Sequence, residues 1–212
     1  MSVAVTMDME RAPRPTGGVG AVLLCCLIAV LEGFDLQVIG VAAPLIAKDL
    51  GLNPSQIGFA FSASLAGLAI GALAGGRLAD RLGRKPVLLI AVALFGAFTV
   101  GTAFATSLES MVVLRFLTGL GLGGSMPNII AIVAESVRRE RATLAVSAMA
   151  AGLSVGGVLV AQLARYLPAG TGWHLLFVIG GVLPLLLLPL LWWRLPETRP
   201  ARAAAGGARA GV

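Results

Sequence analysis

The sequence predicts an all-α integral membrane protein of six transmembrane helices. Hydrophobic residues make up 58% of the 212-residue chain and charged residues only 12%, and the mean hydropathy is +0.93. Apolar stretches long enough to cross a bilayer recur along the chain, and positive charge is concentrated in alternate breaks between them. A soluble domain carries about 25% charged residues, so half the usual charge has given way to aliphatic residues and glycine. A crossing takes about 20 apolar residues, which leaves room for roughly six crossings and excludes a soluble catalytic domain.

The spans fall at about residues 19–46, 56–79, 86–107, 110–134, 143–167 and 172–193, forming a bundle over 19–195 between an N-terminal tail (1–18) and a C-terminal tail (196–212). The first follows Arg14 and is too long for the apolar core of a cleavable signal, so it is expected to stay. Its adjacent Cys25 and Cys26 suit packing better than a disulfide or a metal site. The second carries Gly67, Gly71 and Gly75 at four-residue steps and the fifth Gly152 and Gly156; such stripes let helix backbones approach closely. The third follows a run of basic residues, and the fourth opens with Arg115 ahead of a glycine run. The sixth has Trp173 and His174 at one end and Trp192 and Trp193 at the other, where interfacial anchoring is expected.

The net charge of +6 would suggest nucleic acid in a polar protein, but here it orients the chain. Arg11 and Arg14, then Arg77, Arg81, Arg84 and Lys85, then Arg138, Arg139 and Arg141, then Arg194, Arg199, Arg202 and Arg209 all fall on one side if the helices alternate. Lys48 and Arg165 fall on the other, and Arg115 lies within the fourth span. The positive-inside rule then places both termini in the cytoplasm of a multi-pass protein of the inner (plasma) membrane.

Polar groups at membrane depth are costly and tend to face a cavity or a partner. Glu32 and Asp35 lie mid-span in Leu31-Glu32-Gly33-Phe34-Asp35-Leu36-Gln37; three residues apart on a helix, they share a face. Two like charges there do not both ionise cheaply, so at least one is expected to exchange a proton near neutral pH, or both meet fixed partners. Arg115 is the expected counter-charge, holding a carboxylate of the first span or an anionic substrate, unless it snorkels outward. Gln37 and Asn128 are candidate substrate contacts or helix–helix bonds.

The break between the second and third spans reads Gly76-Arg77-Leu78-Ala79-Asp80-Arg81-Leu82-Gly83-Arg84-Lys85-Pro86, and topogenic charge alone would need neither Asp80 nor the glycines. Gly76-x-x-x-Asp80-Arg81-x-Gly83-Arg84-Lys85 resembles the signature loop of the major facilitator superfamily. Arg115-x-x-x-Gly119-x-Gly121-x-Gly123 resembles the fourth-helix motif of its proton-coupled members, and Pro196-Glu197-Thr198 the motif closing their N-terminal half. The resemblance implies that half of the fold, as two three-helix inverted repeats. It also implies a cytoplasmic gating loop in which Asp80, Arg81 and Arg84 form a charge relay that latches the outward-open state.

Glu32-Gly33-Phe34-Asp35 and Gly123-Gly124-Ser125-Met126-Pro127-Asn128 are further similar to the aromatic acid:proton symporters, whose first motif is mostly Asp-Gly-Phe-Asp; Glu32 departs from it, toward the hydroxyphenylpropionate permeases. The fifth span lacks the Gly-Pro pair of drug-exporting antiporters, which favours symport. The resemblance implies proton-coupled uptake of a hydroxyphenylpropionate- or hydroxybenzoate-type carboxylate by alternating access. Asp35, Glu32 and Arg115 would couple protons and Arg115, Gln37 and Asn128 would meet substrate. No cofactor is implied, the proton gradient being the energy source, and the partners are the aromatic acid, protons and lipid.

Family members have twelve helices, so six are expected to need a second copy or a separate C-terminal half. The alternatives are a non-transporting membrane subunit or inactive fragment, or a carrier of another organic anion. An intramembrane enzyme is disfavoured, because the chain has no His-Glu-x-x-His and no metal-ligand cluster.

Overall fold

The computed structural model describes residues 18–167 and 172–195. Within them the chain forms six helices long and apolar enough to cross a membrane: α1 (Gly18–Leu50), α2 (Pro54–Leu82), α3 (Arg84–Thr102), α4 (Leu108–Ser136), α5 (Arg139–Tyr166) and α6 (His174–Arg194). The Pro196-Glu197-Thr198 motif, most of both tails and the basic residues within them lie outside the described residues.

Hydropathy located the spans but not their ends, because helix ends follow backbone chemistry. Asn53 and Ser107 close capping boxes with Gln56 and Ser110, so α2 and α4 start earlier than their apolar runs. The third span was expected to run to residue 107, yet α3 stops at Thr102. Ala103, Phe104 and Ala105 instead take the chain through a turn of i→i−3 backbone bonds, and their apolar character hides that turn from a hydropathy reading. The stretch Gly76–Pro86 was expected to be a loop. It is almost entirely helix, the last turns of α2 followed by the first of α3, with Gly83 alone between them. The φ of +93° at Gly83 is reached without strain only by glycine, so the reversal is compressed into one residue.

The packing repeats itself. α2 lies chiefly on α4 and α5 chiefly on α1, α3 packs on α4 and α6 on α1, and α3 meets α6. Exchanging α1 with α4, α2 with α5 and α3 with α6 interchanges the first two pairings and the next two and maps the α3–α6 contact onto itself, and the exchanged helices run in opposite directions. This is two inverted three-helix repeats about a pseudo-two-fold axis.

Glycine sets the approach distances. A Cβ on Gly67 or Gly71 would collide with the Phe116 or Leu120 carbonyl of α4, and one on Gly119 or Gly123 with the Ser64 or Leu68 carbonyl of α2. The repeat-related contact uses Gly156 of α5 against Val30 of α1 and Gly33 of α1 against Leu153 of α5. Where α3 crosses α6, Gly96 and Gly181 face each other's carbonyls. The stripes therefore serve close packing.

α2 and α5 bury only these narrow stripes and expose apolar side chains such as Phe59, Leu65, Ile70, Leu73, Leu144 and Val158. Two apolar cores fill the bundle. One contains Cys25, Ile28, Phe95, Ile129 and Leu191, the other Phe34, Ile46, Met111, Trp173 and Phe177. Along α1, α3 and α4 the buried Glu32, Asp35, Thr99, Thr102, Arg115 and Thr118 fall at their junction.

Gly71→Val places a branched side chain against the α4 backbone and should destabilise the bundle by about 1–3 kcal/mol. Gly58→Ala, at a helical site with nothing within 4 Å of a new Cβ, should leave the melting temperature in detergent unchanged or raised. Equal melting of the two variants would contradict the packing described.

Candidate functional site

The polar layer is built by three helices and closed by a fourth. Asp35 on α1 and Arg115 on α4 form an ion pair, Nη1 to Oδ2 at 3.2 Å, with each side chain 1% exposed. The Thr99 hydroxyl of α3 donates to Asp35 Oδ1 at 2.6 Å. Arg115 Nε and Nη2 donate to Thr102 Oγ1 at 3.2 and 3.1 Å, and Nη2 to Thr118 Oγ1 at 3.0 Å. The guanidinium carbon lies 5.1 Å from the centroid of the Phe177 ring of α6, where the π-face supports a cation.

Each element is placed by the fold. Thr99 and Thr102 are one turn apart on α3, and Thr118 is one turn beyond Arg115 on α4, so each pair shares a face. Thr118 Oγ1 donates its own proton to the Leu114 carbonyl, and Thr102 does likewise to Phe98. Their lone pairs are thus left for the guanidinium. Among the described residues no buried side-chain nitrogen or oxygen lacks a hydrogen-bond partner. Arg115 does not snorkel; it is among the largest fully buried side chains.

Glu32 is also buried, at 1% exposure, but it does not reach Arg115. Its carboxyl accepts a hydrogen bond from the Ser125 hydroxyl of α4. The same hydroxyl lies 2.8 Å from the Leu122 carbonyl. Ser125 has one proton for two acceptors, so the bond to Glu32 is shared with the helix backbone. The two carboxyls that share a face of α1 therefore have different surroundings: Asp35 has a cation and a hydroxyl, Glu32 a hydroxyl alone. One guanidinium with two ionised carboxylates would leave a net negative charge in an apolar interior, which is costly.

The two neutral candidates separate. Gln37 is exposed on α1, where its Cγ would lie 3.0 Å from a Cβ on Gly157 of α5. Asn128 is buried and donates to the Gly124 carbonyl of its own helix at 2.7 Å.

At the basic end, Asp80 and Arg81 are exposed in the last turns of α2, as is Arg77. Arg84, at the start of α3, is ion-paired with Glu135 near the end of α4. The residues expected to form the gating loop, Gly76, Asp80, Arg81, Gly83, Arg84 and Lys85, share one end of the bundle, and an ion pair there runs from Arg84 to α4. At the opposite end Trp173 Nε1 donates to Asp49 at 3.0 Å, and its ring stacks on His174 with centroids 4.0 Å apart.

Sequence reasoning missed Thr99, Thr102, Thr118, Ser125, Phe177 and Glu135. The i,i+3 threonine pair on α3 and a threonine three residues beyond a membrane-depth arginine were legible polar signals. Ser125 lies inside the motif Gly123-Gly124-Ser125-Met126-Pro127-Asn128, which carries a family resemblance and by itself assigns that serine no partner. Nothing in the sequence paired Glu135 with Arg84 across 51 residues.

Six apolar helices in inverted repeats around a buried acid–arginine pair define a half of a membrane transport protein. Residues 25–211 match the model of the Major Facilitator Superfamily, and the chain belongs to that superfamily as a multi-pass inner-membrane protein. It is 46% identical over 175 residues to the 3-(3-hydroxy-phenyl)propionate transporter of Escherichia coli, covering 82% of this chain and 43% of that protein. The gallate transporter of Pseudomonas putida is 44% identical (86% of this chain, 40% of that one). The 4-hydroxybenzoate transporter PcaK of Pseudomonas aeruginosa is 43% identical (84% and 40%). Among solved structures, the proton:xylose symporter XylE bound to 6-bromo-6-deoxy-D-glucose superposes with a TM-score of 0.76 at 25% identity, covering 89% of this chain and 48% of that one. The chain thus spans about 40% of the length of the curated relatives it matches.

Removing one member of the buried pair leaves the other charge uncompensated, which costs about 3–5 kcal/mol, whereas replacing both by apolar groups is far milder. Arg115→Met should therefore melt well below the parent in detergent, and Asp35→Leu combined with Arg115→Met should recover most of the loss. A double variant no more stable than the single one would show that the pair does not carry the layer.

Proposed function

We propose that these six helices are one half of a proton-coupled carrier that takes up an aromatic carboxylate by alternating access against a second six-helix unit. The observation that carries this reading is the buried Asp35–Arg115 pair with Glu32 beside it. The relatives' names support the substrate class, since hydroxyphenylpropionate, gallate and hydroxybenzoate are all hydroxylated aromatic acids. The basic end is assigned to the cytoplasm.

A proton arriving at Asp35 removes the charge that holds Arg115 and leaves a cation supported only by threonine hydroxyls and the Phe177 ring. Substrate carboxylate is then drawn toward that excess of positive charge, and the loaded carrier reorients without carrying an isolated ion through the bilayer. Glu32, with only Ser125 as a partner, is assigned to hold a proton while Asp35 is ionised, which keeps the layer neutral. Arg115 is enclosed on all sides, so it acts through the field and through a change of partner. Gln37, on the open side between α1 and α5, is assigned a direct contact with substrate, and Asn128 acts from within the wall.

The exposed faces of α2 and α5 are assigned to contact with the second half. Asp80, Arg81 and Arg84 latch the cytoplasmic side, with Glu135 as the fixed end of that latch on α4. The proton gradient supplies the energy, without a cofactor, and no bond of the substrate is made or broken.

Fusing the chain ahead of the remaining portion of the Escherichia coli relative gives a testable carrier. In liposomes with an imposed pH gradient, Asp35→Asn in that fusion should lower uptake of labelled 3-(3-hydroxyphenyl)propionate or 4-hydroxybenzoate by at least about tenfold, the equivalent of roughly 1.4 kcal/mol. Exchange of labelled for unlabelled substrate should persist. Undiminished proton-driven uptake would remove Asp35 from the coupling role, and a fusion silent toward every aromatic acid would count against the substrate class. Asp80→Asn should slow turnover while leaving substrate binding nearly intact; the opposite pattern would exclude the latch.

A further inference from the structure

On the outer side of the bundle, α3 and α6 leave between them a groove of about 550 Å³, within the roughly 300–1,000 Å³ typical of ligand sites. Its walls are aliphatic: Ile90 and Ala93 from α3, Leu185 and Leu188 from α6. Pro189 and Trp192 extend it to the basic end, where Lys85 Nζ stands 5.8 Å from the centroid of the Trp192 ring. Lys85 and Ala93 are eight residues apart, so the groove runs about 12 Å from the charge into the apolar zone.

The charges at this end break a local rule. Arg84 and Lys85 occupy the first turn of α3, which has no acidic residue and no side-chain cap, although a helix N-terminus favours anions and disfavours cations. Arg84 is compensated by Glu135. For Lys85 the described residues show no carboxylate within ion-pair distance. Its neighbour is an aromatic ring that is itself 69% exposed. Arg194, two residues beyond Trp192 on α6, lies over Trp193. Topogenic charge explains why the end is basic, but not why a cation, an interfacial tryptophan and an aliphatic groove form one continuous surface.

We propose that this groove is a binding site for an anionic phospholipid. One acyl chain lies between Ile90, Ala93, Leu185 and Leu188, the phosphate rests on Lys85 at the start of α3, and Trp192 forms the rim between headgroup and chain. The ligand's negative charge offsets both the helix N-terminus and the ammonium, and its chain covers the apolar walls. A soluble anion would satisfy the charge and leave the groove empty, so the site is assigned to a lipid.

The test uses the full chain in phosphatidylcholine nanodiscs containing a small fraction of phosphatidylglycerol or phosphatidylcholine brominated in mid-chain. Quenching is assigned to Trp192 by difference from Trp192→Phe. Phosphatidylglycerol should be preferred by about fivefold, the worth of one cationic side chain at an anionic surface. Lys85→Gln should bring that ratio near one and Lys85→Arg should keep it. Ala93→Phe, which fills the groove, should reduce quenching by both lipids. Equal quenching by the two lipids in the parent chain would overturn the proposal, as would a preference that survives Lys85→Gln. So would a preference lost equally in Arg194→Gln, which would mark diffuse surface charge, or one abolished by inorganic phosphate at matched ionic strength.

Discussion

The structure depends on how a single guanidinium is accommodated inside a membrane protein. Arg115 is fully buried, and a guanidinium is a cation that needs partners wherever it is taken out of water. Its burial is tolerated only because α1 supplies Asp35, α3 supplies two threonines, α4 supplies a third and α6 supplies an aromatic face. Four of the six helices are thereby committed to one point. Any shift of α1, α3 or α4 breaks a charge-assisted bond in a poor dielectric, and a shift of α6 withdraws the aromatic face, so the layer helps to fix the register of the bundle alongside the apolar cores.

In the proposed cycle such a layer is useful because one proton can tip its equilibrium. A purely apolar bundle has no internal group whose charge responds to the proton gradient, and a fully solvated acid would titrate without moving anything. Asp35 lies between these cases. Its ionised form is held by two partners from two other helices, so protonation alters interhelical contacts and not only net charge. The glycine contacts complete the arrangement: α2 against α4 and α5 against α1 meet backbone to backbone, which makes each pair stiff and lets it move as a body.

Much of this was legible in the sequence. Length and hydropathy gave six spans, and the carboxylates of α1 stood out because little else at membrane depth is ionisable. What stayed hidden has specific physical causes. Ala103, Phe104 and Ala105 are apolar in a turn, so hydropathy overran α3. The basic stretch from Gly76 to Pro86 looked like a loop because glycine and charge accumulate there, yet glycine in α2 serves helix packing and the charges sit on helix ends. Glu32 and Asp35 were correctly placed on one face, but which of them would meet Arg115 depended on the axial offset between α1 and α4. That offset is a product of the tertiary packing of α1 against α4, α5 and α6, which no local reading supplies.

The order of packing along the chain bears on how the bundle is assembled during synthesis. α1 and α2, joined by a short turn, barely touch, and Gly83 folds α3 back from α2 with only slight contact between them. The main partner of α2 is α4, and the main partner of α1 is α5. As the chain emerges, α1 and α2 therefore enter the bilayer with their glycine stripes unmatched, and Asp35 has no counter-charge until Arg115 follows eighty residues later. α4 is the helix on which both α2 and α3 pack, and the main contacts of α1 are completed only when α5 and α6 have been made. The first helix made is thus among the last to acquire its native neighbours, and its two carboxyls spend that interval without the partners that later define them.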